Sequence, residues 1–147
     1  MSWVANVMLS VEGDDQANAE EFSRWLDEEC PRRELGMARG GCGNLAVITG
    51  SDTQWGGYKY PECHVYAGAL NHADLDAVVD RFGSVPWRKP NGVQLFLMDQ
   101  EQSFFRVWMI RDGRVQQYAP ISPDEEDDEF WPADEASSSL SARSPNR

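Results

Sequence analysis

From Ser122 onward this chain cannot build a core. It runs Ser122-Pro123-Asp124-Glu125-Glu126-Asp127-Asp128-Glu129-Phe130-Trp131-Pro132, passes through Ser137-Ser138-Ser139 and reaches Arg147. Six consecutive carboxylates repel one another, and serine and proline bury too little apolar surface to offset the entropy of ordering. Residues 122–147 therefore read as a disordered acidic Ser/Pro tail. Residues 1–121 read as a single α+β globular domain, long enough to hold a core without disulfide or metal staples. Phe130 and Trp131 stand out inside the acidic run. They have the form of a linear interaction motif, with charge for steering, aromatic rings for a pocket and Pro132 to limit the unbound ensemble. The alternative is a solubilising tail whose aromatics have no role, or whose Trp131 packs back on the body.

Charge narrows the choice of partners. The 147 residues carry 25 Asp and Glu against 13 Lys and Arg, a net of −12. Eight carboxylates and two arginines in the tail give −6, so the body carries the other −6. A chain acidic throughout is repelled by nucleic acid and by anionic membranes. Its natural partners are basic: a cationic protein surface, a metal ion or a cationic ligand. The three cysteines, Cys30, Cys42 and Cys63, are odd in number and form no CxxC. The first basic residue is Arg24, so the apolar run from Trp3 to Leu9 lacks the charged flank of a signal peptide. No stretch approaches the roughly 20 apolar residues of a membrane span. These features predict a cytoplasmic protein with reduced thiols.

Hydrophobic periodicity then orders the body. Trp3, Ala5, Val7, Leu9 and Val11 alternate as one face of a strand. Gly13-Asp14-Asp15 breaks it, and the Asp side chains are placed to accept hydrogen bonds from the amides opening a helix. Ala19, Phe22 and Leu26 follow at helical spacing, and Pro31 disfavours helix at Cys30. Leu45–Thr49 and His64–Leu70 read as strands. Asn71 is placed to cap a second helix bearing Leu75, Val78, Val79 and Phe82 at i, i+3, i+4 and i+7, closed by Gly83. Val93–Met98 is apolar on both faces, as a central strand would be. Phe104–Ile110 and Arg114–Tyr118 flank Asp112-Gly113, a two-residue hairpin turn. The order β-α-β-β-α-β plus a C-terminal β-hairpin predicts a ferredoxin-like sandwich, with both helices on one face of a mainly antiparallel sheet.

No motif names a reaction, a cofactor or a metal. Gly40, Gly41 and Gly43 precede a strand, whereas a phosphate-binding loop needs a helix after it. Cys63 and His64 are adjacent on a strand and so point to opposite faces. His72, Asp76 and Asp80 fall at i, i+4 and i+8, a row able to bind a divalent ion or serve as acid and base, although an acidic, solvated helix flank, such as borders most apolar stripes, is the preferred reading. Phe104, Phe105 and Trp108 invite an RNA-recognition reading, but the expected glycine and leading basic residue are missing and the charge opposes it. Trp55, Tyr58 and Tyr60 occupy one loop, and Trp87 follows Pro86 in another. Loop aromatics are enriched at interfaces because they bring large rigid area with a polar edge; the competing reading is that they fold back as plugs over the sheet.

Two functions follow. The first is a non-enzymatic acidic protein-interaction module (an inhibitor, immunity-type protein or assembly adaptor). It would dock on a basic partner through Trp55, Tyr58, Tyr60, Trp87, Phe130 and Trp131. The second is a small enzyme or metal- or ligand-binding domain built on His64, His72 and Asp76, with Cys42 beside them. A homodimer through an edge strand at 114–118 is a further possibility for assembly.

Overall fold

Alternation in the first strand sets the frame. β1 (Val4–Val11) buries every second residue, so Ala5, Val7, Leu9 and Val11 lie on the core side. The computed structural model describes residues 3–33, 40–50 and 55–120; the expected tail at 122–147 lies outside them. The further elements are α1 (Gln16–Glu28), β2 (Ala46–Val47), β3 (His64–Asn71), α2 (Leu75–Ser84), β4 (Gln94–Asp99), β5 (Arg106–Arg111) and β6 (Arg114–Tyr118), with short 3-10 turns at 13–15 and 90–92. Among the described residues the fold is α+β, with one antiparallel six-stranded sheet and two α-helices. Strand order is β2-β3-β1-β4-β5-β6. β1 lies at the centre, pairing Val7 with Gly68 of β3 on one side and with Leu97 of β4 on the other.

Both helices pack on one face. Phe22 and Leu26 of α1 and Val78 and Phe82 of α2 join Val7, Leu9, Val11, Leu70, Leu95 and Leu97 in the core. Burying each of these side chains contributes about 1.5–3 kcal/mol. The β5–β6 hairpin extends the sheet, turning at Asp112 (φ 54°) and Gly113 (φ 73°), the two left-handed residues a tight turn of this kind requires. No helix among the described residues is long and apolar enough to cross a membrane.

Several local expectations are corrected. Asn71 does not cap α2; it ends β3, donating its amide to Cys42 O at 2.9 Å. The cap is Asp74, whose side chain accepts from Ala77 N at 3.3 Å. Gly83 lies inside the helix, which runs on to Ser84. Pro86 sets the stop, because it disfavours helical geometry at Val85. Gly83 instead makes room: a Cβ there would sit 2.6 Å from Val115 Cγ2, so the missing side chain lets the helix approach β6. The strand expected over 45–49 shrinks to Ala46–Val47. Leu45 N is taken by the Ser23 hydroxyl (2.8 Å) rather than by a ladder bond.

Asp15 also departs from expectation. It makes no side-chain cap to its own helix. Its carboxylate instead accepts from Arg88 N at 2.7 Å, Lys89 N at 2.8 Å and Asn18 Nδ2 at 2.9 Å. The start of α1 is thereby tied to the segment between α2 and β4.

Candidate functional site

The connection from β2 to β3 spans residues 48–63, and connections of this length are commonly functional. Its entrance is fixed: Ile48 N donates to Val65 O at 2.8 Å, and Thr49 Oγ1 accepts from Val65 N at 3.1 Å. Beyond that anchor the chain carries Trp55, Tyr58 and Tyr60, whose relative exposures are 45%, 106% and 86%. Gly57 has φ +94°, and a Cβ at Gly56 or Gly57 would meet nothing within 4 Å. Tyr58 and Tyr60 therefore stand in solvent, while Trp55 is a little more than half covered.

These rings share an open cleft of about 280 Å³ with Thr49, Lys59 and Pro61. Three of the residues expected to bind a partner are thus brought to one place. The cleft mixes aromatic faces, phenol hydroxyls and one ammonium group, which suits a protein or peptide surface bearing both apolar and polar groups. Leaving such rings in water forgoes their burial energy, a cost that an interaction site recovers on binding.

Trp87 behaves differently. It is only 8% exposed, and its ring packs at 5.8 Å from Phe82 and 6.4 Å from Phe22. Its Nε1–H donates to Phe82 O at 2.8 Å, satisfying a carbonyl in the last turn of α2 that has no partner within the helix. Trp87 is a core and helix-capping residue, so the expectation that it offers a surface ring is corrected. Phe130 and Trp131 lie outside the described residues.

The residues of the enzymatic alternative are not gathered into one site. His64 begins β3 and His72 follows its last residue, which separates them by roughly 25 Å at 3.3 Å per residue. His64 Nδ1 lies 2.9 Å from Gln16 Nε2. His72 has φ 58° and precedes α2, so it does not continue the row of Asp76 and Asp80. Among the described residues no group of three or more His, Cys, Asp or Glu side chains is placed to hold a metal ion. Cys42 is buried, its N–H donating to Leu26 O and its carbonyl accepting from Asn71 N, one residue before His72, so it lies at the far end of β3 from His64.

One feature escaped the sequence reading. The sheet face opposite the helices carries Met8, Phe96, Met98, Val107 and Met109, all half-buried, in register across β1, β4 and β5. Phe96 and Phe105 meet edge to face, with centroids 6.4 Å apart. The signal was present in the two-sided apolar pattern of 93–98, which marks a central strand whose second face also carries apolar groups. No protein-family model, no curated protein and no solved structure matches the chain.

Proposed function

We propose that this chain is a non-enzymatic, acidic protein-interaction module. It docks on a basic partner protein through Trp55, Tyr58 and Tyr60, as an inhibitor, immunity-type protein or assembly adaptor does. One observation carries the reading: three loop aromatics line one cleft, and two of them are almost fully exposed. The net charge of −12 supports a cationic partner, because opposite charge speeds encounter while buried rings supply the anchoring energy. We assign the fold to the ferredoxin-like type; the order β2-β3-β1-β4 with antiparallel pairing supports that assignment. The odd cysteine count supports a cytoplasmic setting.

The test is comparative capture. The variant Trp55→Ala/Tyr58→Ala/Tyr60→Ala is expected to melt with the parent, since these rings pack on little. It is expected to lose at least roughly 30-fold in affinity for a basic partner retained by the parent, the equivalent of one hot-spot residue. Equal retention by parent and variant contradicts the reading. Phe130 and Trp131 form a second contact in the same proposal. Deleting residues 122–147 is expected to leave the melting transition of the body unchanged and to slow association, most strongly at low salt. Unchanged association kinetics would remove the tail from the interface.

A further inference from the structure

The two buried cysteines lie far from the aromatic loop and are brought together by the backbone. α1 ends where Cys30 N donates to Trp25 O at 2.9 Å. The returning chain then lies against that end: Gly41 N donates to Cys30 O and Cys42 N to Leu26 O, both at 2.8 Å. Arg32 Nε grips Gly41 O at 3.0 Å. The approach is flush, because a Cβ at Gly40 or Gly41 would overlap the backbone of Glu29 or Asp27. The sulfurs converge. Cys30 Sγ lies 3.5 Å and Cys42 Sγ 3.6 Å from the same Pro31 carbonyl oxygen, and Cys42 Sγ lies 3.5 Å from Cys30 O.

We propose that Cys30 and Cys42 form a dithiol redox site that a hydroperoxide closes to an intramolecular disulfide and a low-molecular-weight thiol reopens. Cys42 reacts first. It is 8% exposed where Cys30 is 0%, and the Arg32 guanidinium beside it favours its thiolate. Burial pushes both thiols up, so the reaction is slower than that of a dedicated peroxide scavenger. In the first step the Cys42 sulfur attacks a peroxide oxygen. An S–O bond forms, the O–O bond breaks, and the departing hydroxide leaves with the thiol proton as water. In the second step the Cys30 sulfur attacks the Cys42 sulfur. The S–S bond forms, the S–O bond breaks, and hydroxide leaves with the Cys30 proton as a second water. The two sulfurs lose two electrons in total and the peroxide gains them. The product fastens the end of α1 to residues 40–42 and constrains the connection between.

Cys63, half-buried at the start of β3, is an internal control. The full chain is treated with a small excess of hydrogen peroxide, unfolded, alkylated and digested with trypsin. The expected result is that alkylatable thiols fall from three to one. Intact mass should drop by two hydrogens, peptide 25–32 should be joined to peptide 40–59, and Cys63 should be alkylated in peptide 60–81. Dithiothreitol should restore three thiols, and the oxidised form should melt higher than the reduced one. Cys42→Ser is expected to abolish the cross-link. Three alkylatable thiols after treatment, or oxidation confined to Cys63, would overturn the proposal.

Discussion

Asp15→Ala is expected to destabilise the body by about 3 kcal/mol at neutral pH, lowering the thermal midpoint by roughly 10 °C. The carboxylate is fully buried and makes three hydrogen bonds, two of them to backbone amides of Arg88 and Lys89. Alanine leaves those donors without their charged acceptor, and each buried donor so stranded costs about 1–3 kcal/mol. The same contact gives the fold an acid dependence. Burial alone would push the Asp15 carboxyl up. The hydrogen bonds from Arg88, Asn18 and Lys89, with the Arg88 charge, more than offset this and hold it below its ordinary value of 3.8. The ionised form therefore favours folding. Its contribution is fully present above about pH 5 and is lost as the pH falls through the ordinary value and then through the lower native one. Denaturant melts of the parent and of Asp15→Asn check this. The stability gap between them should narrow from pH 7 to pH 3, whereas a constant gap would mean that the charge is immaterial.

Gly68→Val is expected to cost about 3 kcal/mol or more, at the upper end of overpacking effects. Gly68 sits mid-strand opposite Val7, on the core face of β3. A Cβ there would overlap Asn44 O and lie 3.1 Å from Leu45 Cδ2. Neither neighbour is free to withdraw: Leu45 N is held by the Ser23 hydroxyl, and the Cys42 carbonyl by Asn71 N. Relief must come by pulling residues 42–45 off the sheet. Gly56→Ala is the control, since nothing lies within 4 Å of its would-be Cβ, and it should melt with the parent. Equal midpoints for the two variants would mean that the crossing at Gly68 is loose.

Local pattern made most of the architecture readable. Alternation located β1, the spacing of Ala19, Phe22 and Leu26 located α1, and Asp112-Gly113 located the last hairpin. These signals survive in sequence because a strand or helix imposes its own period on the residues it buries. Contacts between distant segments leave no such period. Asp15 looked like a cap for the helix it precedes, but the two backbone amides it accepts from lie more than seventy residues away. Trp87 looked like a loop aromatic because it follows Pro86, yet its indole fills a gap between two helices. Cys30 and Cys42 were separate thiols in the sequence, and only the flush glycine approach makes them a pair. The aromatic loop was legible for the opposite reason. Trp55, Tyr58 and Tyr60 are close in sequence, and the glycines between them add no side chain that could cover them.

Docking through the aromatic loop is tested by a hydrogen-exchange footprint of the full chain with and without a captured basic partner. The expected result is slowed exchange concentrated in residues 48–63, with β4 and β5 unaltered. Protection confined to β4 and β5, with the 48–63 amides exchanging as in the free protein, would contradict it.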